Sequence, residues 1–150
     1  MYLLGTQELT NLFSLDPARS IHGWLQTVRP GEHELFVSAI SLGMIANQIE
    51  RLELAERNQW RRRYAEGRRK FEDRGSIVHV DIGVVDVWAS NLRGRDLVED
   101  DETTGERTPL GEDSRLVIAT AITRGYSLVT KMTPVLQDIA NFTTLTIVEP

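Results

Sequence analysis

The side chains that could do chemistry in this chain are scattered. His22, His33 and His79 have no metal-ligand spacing, and cysteine is absent, so no thiolate site and no disulfide framework can form. No Gly-x-Ser-x-Gly elbow occurs, and no glycine-rich loop leads to a lysine, so neither a serine hydrolase nor a P-loop is signalled. Acids gather in one place. Glu99, Asp100, Asp101, Glu102 and Glu106, with Thr and Gly between them, read as a solvated, flexible loop over 99–108. Bases gather in another. Residues 57–74 hold eight Arg/Lys against Glu66, Glu72 and Asp73, a local +5 that leaves −10 on the rest of a chain whose net charge is −5. As a solvated helix face this segment balances the acidic loop. As an anion-binding patch it would offer Arg61, Arg68 and Arg69 to RNA phosphate or to an acidic partner segment.

The elements that must position these groups follow from hydrophobic periodicity. Met1 to Leu4 is a short apolar run, read as a buried strand. Thr6 is placed as the cap of a helix to about Leu15, with Leu9, Leu12 and Phe13 on one face. Asp16-Pro17 breaks it. Ile21, Trp24, Leu25 and Val28 recur at helical spacing up to Pro30-Gly31, and Leu35-Phe36-Val37 is a second strand. Ser41 is placed as the cap of a helix carrying Ile45, Ile49 and Leu52. A long helix runs from about Ala55 to Asp73, with Trp60 and Tyr64 on one buried face. Ile77 to Val80 is a third strand, and Asp81 caps a helix through Leu92. Leu116 to Ala121 belong to a small-residue helix that begins near Asp113 and stops at Gly125. Ser127 to Thr130 is a fourth strand, Thr133-Pro134 opens another helix, and Leu145 to Val148 is the last strand.

Strands alternating with helices predict an α/β fold, a three-layer α/β/α sandwich around a mostly parallel sheet. The 150 residues are read as a single domain, with hydrophobic content of 41% that is ordinary for a globular protein. The N-terminus lacks a signal-peptide pattern, no apolar run is long enough to span a membrane, and the lack of cysteine fits a cytoplasmic location. The net negative charge excludes nothing about fold but argues against wrapping of nucleic acid. In a parallel sheet the site lies beyond the carboxyl ends of the strands. That directs attention to Gly5–Gln7, Ser38–Met44 and Thr130–Val135.

Several of these segments, in this order, resemble the VapC-like PIN domains. They are Met1-Tyr2-Leu3-Leu4-x-Thr6; Ser38-Ala39-Ile40-Ser41-Leu42-Gly43 with Ile49-Glu50-Arg51-Leu52; Val80-Asp81 and Trp88; Pro109-Leu110; Leu116-x-x-Ala119-Thr120-Ala121; and Gly125 to Thr130. The resemblance implies a ribonuclease fold of toxin–antitoxin systems whose clustered acids hold Mg²⁺ or Mn²⁺. It also implies a homodimer and a small antitoxin bound along the groove between the early helices. Leu9, Leu12, Phe13, Trp24, Ile45 and Ile49 are the apolar candidates for such surfaces, most of them also expected in the core.

Carried across position by position, the family's acids fall on Gly5, Met44, Ser114 and Val135, and its usual asparagines on Gln7 and Met132. None of these offers a carboxylate. The resemblance therefore implies a degenerate nuclease with no bound metal, weak or absent RNA binding, and retained antitoxin or homodimer surfaces. The alternatives are an active Mg²⁺-dependent ribonuclease using a shifted Asp113 or Glu112, and a protein that binds RNA without cutting it. Glu112 and Asp113 otherwise serve as favourable charges at a helix N-terminus. Glu8 is expected to point away from the site on its helix, and Asp138 to lie too far along the last helix. Thr6, Ser38, Ser41 and Thr130 are expected to line the former pocket.

Overall fold

A computed structural model describes residues 1–101 and 103–150. Glu102, counted above in the acidic loop, lies outside the described residues. Among them the order is β1 (Tyr2–Leu4), α1 (Thr6–Ser14), α2 (Ser20–Val28), β2 (Leu35–Ser38), α3 (Ala39–Glu50), α4 (Leu54–Asp73), β3 (Ile77–Val78) and α5 (Ile82–Val87). A π-helical turn, Trp88–Leu92, continues α5. Then come β4 (Val98–Asp100), β5 (Arg107–Pro109), α6 (Glu112–Arg124), β6 (Ser127–Val129), α7 (Pro134–Phe142) and β7 (Thr146–Val148).

Five strands form a parallel sheet in the order β3-β2-β1-β6-β7. β1 is central: Leu3 pairs with Phe36 on one side and Leu128 on the other. Side chains alternate across the sheet with period two, and each face builds its own core. Leu3 and Leu128 pack with Val84, Val117 and Ile139 of α5, α6 and α7. Leu4, Val37 and Val129 pack with Leu9, Ile21, Ile45 and Phe71 of α1 to α4. This is the α/β/α sandwich expected from the sequence. The continuous apolar character of β1 and β6 follows from burial on both faces.

Local capping corrects the sequence reading in two places. The N-cap of α1 is Gly5, with extended backbone and no side-chain cap; Thr6 is already helical. The N-cap of α3 is Ser38, whose Oγ accepts from the Ile40 N–H at 3.1 Å. The hydroxyls of Thr6 and Ser41, both expected as caps, bond to each other instead at 2.9 Å, pinning α1 to α3. Asp81 and Thr133 do cap α5 and α7, and Gly125 ends α6 at φ 65°. β3 stops at Val78, two residues short of the expected strand.

The acidic segment is also different from a plain loop. β4 and β5 pair as an antiparallel hairpin, Val98 with Pro109 and Asp100 with Arg107. Its base is held by Arg115, a buried guanidinium on α6. Arg115 donates to the Leu110 and Arg95 carbonyls at 2.9 and 3.0 Å and to the Leu92 carbonyl. Glu112 lies 3.8 Å away as its ion-pair partner. A buried charge is tolerable when hydrogen-bonded in this way.

Trp60 and Tyr64 do share a face of α4. Both are half-buried, and Tyr64 meets Phe13 edge-on with ring centroids 6.1 Å apart. α1 and α4 approach closely there because position 67 is glycine. A Cβ on Gly67 would fall 2.2 Å from Cε1 of the buried Phe13 ring. Overpacking costs about 1–3 kcal/mol, while alanine gains about 1 kcal/mol over glycine in a helix. Gly67→Ala should therefore lower the unfolding free energy by about 1 kcal/mol, and Phe13→Leu in the same chain should recover part of it. Urea melts of the two variants check this; an unchanged midpoint for Gly67→Ala would contradict the close packing.

Candidate functional site

Because the strands are parallel, the segments leaving β1 and β6, the helix after β2 and the N-terminal turn of α6 open on one side of the sheet. A cavity of about 460 Å³ lies there. Gly5, Met44, Ser114 and Val135, drawn from α1, α3, α6 and α7, all line it. Four positions spread over 130 residues are thus brought to one wall. Thr6, Gln7 and Thr130 line it as well. Ser38 and Ser41 do not: both are wholly buried behind the wall, where the hydrogen bonds above occupy them.

The shifted acids stay outside. Asp113 is exposed and does not line the cavity. Glu112 accepts a 2.7 Å hydrogen bond from the Trp88 indole N–H and faces Arg115. Both sit in the first turn of α6, where negative charge suits the helix dipole. Asp138 is exposed on α7 and does not line the cavity either.

Glu8 corrects the sequence reading. It lines the cavity and is only 4% exposed, with no hydrogen-bond partner for Oε2. Residues three apart near a helix start share a face, so Gly5 and Glu8 look the same way; that spacing was the available signal. Burial pushes the Glu8 carboxyl above the usual carboxylate range, partly opposed by a hydrogen bond from Asn11. Glu99 of the hairpin, Gln48 of α3 and Lys131 after β6 complete the polar lining. Lys131 falls in the Thr130–Val135 segment marked out by the sequence, whereas Glu99 and Gln48 escaped it, because nothing in local spacing ties a hairpin and a mid-helix amide to the site.

A divalent cation of the kind the fold implies does not fit these residues. Mg²⁺ wants several hard oxygens and sheds its waters reluctantly. The Met44 thioether is soft and lies 3.7 Å from the Thr6 hydroxyl. Gly5 and Val135 supply no side-chain oxygen, and Ser114 only a neutral hydroxyl. Among the described residues no group of three or more His, Cys, Asp or Glu is placed to hold a metal. Space at Gly5 is also tight: a Cβ there would stand 3.1 Å from Thr130 Cβ and the Val129 carbonyl.

Half of the bases of the basic helix are paired with carboxylates. Arg61 makes a bidentate pair with Glu50 at 2.7–3.0 Å, which draws the Glu50 carboxyl below its ordinary range. Arg68 pairs with Glu72 at 2.8 Å, and Arg69 lies 3.8 Å from Asp73. The three candidate anion contacts are exposed, yet each has a carboxylate of its own chain. Of the histidines, His33 and His79 are exposed, while His22 keeps its Nε2 buried without a partner in an apolar groove. That groove runs between α1, α2 and α4 and is lined by Leu12, Phe13, Leu25 and Phe71, with Arg29, Arg63, Lys70, Arg74 and Glu66 at its edges.

Sheet order, helix layers and the cavity beyond β1 together give the fold of the VapC-like PIN domains. Particular neighbours are FitAcB from Neisseria gonorrhoeae, at 18% identity and TM-score 0.72 over 98% of this chain and 96% of that one, and VapBC2 from Rickettsia felis bound to a DNA fragment from its promoter, at 18% identity and TM-score 0.68 over 99% and 98%. VapBC from Salmonella typhimurium, bound to DNA, follows at 18% and 0.67 over 99% and 96%. At these identities the likeness is one of fold. No family model matches the sequence, and no curated protein does. No helix among the described residues is long and apolar enough to cross a membrane.

The buried Glu8 predicts a pH signature. A carboxyl whose folded-state affinity for protons exceeds the unfolded one stabilises the fold below the ordinary carboxylate range, and that contribution is lost as pH rises through the raised folded value. Glu8→Gln should therefore be more stable than the wild type near neutrality and should flatten the decline as pH rises above the ordinary carboxylate range of about 4. Urea melts as a function of pH test it; identical pH slopes for the two proteins would show Glu8 to be solvated.

Proposed function

We propose that this chain is a PIN-type fold without nuclease activity that acts by binding protein, either a small antitoxin-like partner or a second copy of itself. One observation carries the reading: the wall positions where the resemblance implies acids hold Gly5, Met44, Ser114 and Val135, and they face a single cavity. Metal-assisted phosphodiester hydrolysis needs a cation to activate water and offset phosphate charge, and this wall gives it no anionic grip. Asp113, the candidate for an active alternative, is turned out to solvent. RNA binding through Arg61, Arg68 and Arg69 would have to displace their carboxylate partners, so we expect it to be weak or absent.

The fold neighbours FitAB and VapBC support a partner of the antitoxin kind. The apolar groove between α1, α2 and α4 is the surface such a partner would take. Four basic side chains against Glu66 at its edge favour an amphipathic segment with acidic flanks. A chain of this kind could sequester an antitoxin from a related active toxin.

The wild type is expected to show no Mn²⁺-dependent RNA cleavage. Restoring the acids together, with Gly5→Asp, Met44→Glu, Ser114→Asp and Val135→Asp, is expected to create it. Gel assays on a structured RNA with and without Mn²⁺ decide the matter; metal-dependent cutting by the wild type would overturn the reading. For the partner, co-purification with the antitoxin of a related toxin is expected. Leu12→Glu, at a half-buried groove position, should abolish it while leaving the fold intact. A wild-type chain that stays monomeric and ignores every such antitoxin would contradict the binding role.

A further inference from the structure

The groove between α1, α2 and α4 is more than an apolar strip. Its volume is about 420 Å³, and Leu12, Phe13, Leu25, Leu35 and Phe71 give it an apolar lining. That is the size and character of a small-molecule site. The charge at its edges is uneven. Lys70 pairs with Glu66 at 3.4 Å, but Arg29, Arg63 and Arg74 have no carboxylate partner among the described residues. Arg63 is half-buried, with its guanidinium 5.7 Å from the centre of the Trp60 ring. The Nε of Arg29 donates to a backbone carbonyl, that of Gln26, at 3.1 Å. His22, also in the lining, keeps its Nε2 buried without a partner, a state rare in folded chains.

The backbone points to the same place. Among the described residues the only non-glycine residues with positive φ are Leu15 at 60° and Arg29 at 48°, and both line the groove. They are the C-caps of α1 and α2, in the left-handed conformation that glycine or asparagine usually supplies at a helix end. Leucine and arginine adopt it at a cost. What that conformation brings to the groove is one apolar side chain, 64% exposed, and one cation.

We propose that this groove binds a small amphipathic anion, a free acyl carboxylate whose chain lies on the apolar lining and whose head meets the arginines at the edge. The head follows from the donors: a guanidinium offers a planar fork that matches a carboxylate, and three stand here without an acid of their own. The body follows from the lining, which rewards burial of an alkyl chain and gives a polar one little to bond. The proposal goes beyond the partner reading, since it needs no second protein. A ligand seated here would cover the surface that a partner segment would take, so the two would compete.

The test is a chemical-shift titration of the full chain with decanoate below its micelle concentration. Decanol, which has the tail without the charge, and butyrate, which has the charge without the tail, serve as controls. Decanoate is expected to give saturable shifts at the groove amides of Leu12, Leu15, Leu25, Gly31 and Gly67. Decanol and butyrate should each bind more weakly by roughly ten-fold or more. Joint substitution Arg63→Gln and Arg74→Gln should weaken decanoate by a similar factor and leave decanol unchanged, a selectivity that a general loss of packing would not give. Should that variant misfold, Leu12→Glu sets a carboxylate on the lining and should abolish the shifts. Shifts that never saturate, that spread beyond the groove, that either control matches, or that survive unchanged in either folded variant overturn the proposal. The partner reading stands or falls separately. Capture of an antitoxin by a chain that ignores decanoate removes only this site, and saturable decanoate binding by a chain that takes no partner removes only that reading.

Discussion

The constraint on which the rest depends is the common direction of the five sheet strands. With β1 between β2 and β6, everything that follows a strand, including the first turn of α1 and the length of α3, faces the same side, and the start of α6 is packed against it. Residues 5, 44, 114 and 135 have no local reason to meet, yet the topology makes them neighbours. At such a junction backbone dipoles and any side-chain charges act on one small volume. The sign and number of those charges therefore decide what the volume can hold.

Seen this way, the uncharged side chains at Gly5, Met44, Ser114 and Val135 have an electrostatic and a packing consequence. Clustered carboxylates without a metal repel one another, so a wall without them relieves strain in the unliganded fold. The thioether of Met44 settles beside Thr6, whose hydroxyl already joins Ser41 and so fixes α1 to α3. The buried acid of the wall is Glu8, whose Oε2 has no hydrogen-bond partner while Asn11 bonds its carboxyl. The cavity wall thus presents one buried acid, Glu8, and no cluster of carboxylates among the described residues. Beside it the hairpin is anchored through Arg115, whose hydrogen bonds to the carbonyls of Leu92, Arg95, Leu97 and Leu110 offset the burial of its own charge.

Much of this was legible in the residues. Apolar runs such as Met1 to Leu4 and Ser127 to Val129, alternating with helical stripes, gave the layers and the parallel sheet, because burial on both faces leaves no polar alternation to confuse the reading. Pro17, Pro30 and Gly125 marked boundaries through backbone geometry alone. Caps were displaced: Thr6 and Ser41 have capping side chains, but Gly5 and Ser38 stand at the turns, and hydroxyl chemistry does not say which of two neighbours occupies the cap. The hairpin escaped because two three-residue strands, Val98–Asp100 and Arg107–Pro109, mostly polar and exposed, carry no hydrophobic period. The pairing of Arg61 with Glu50 was hidden because its partner sits on another helix. Glu8, three residues beyond Gly5, was expected elsewhere on its helix, whereas that same spacing sets it on the cavity face.

The central claim concerns charge at one place, and Mn²⁺ reports on it directly. Titrating Mn²⁺ into the full chain and following the free-ion signal by electron paramagnetic resonance gives the answer without reference to any substrate. The account predicts a signal that grows in proportion to added metal, as if the protein were absent. A stoichiometric loss of signal, abolished by substitutions lining the cavity, would contradict it.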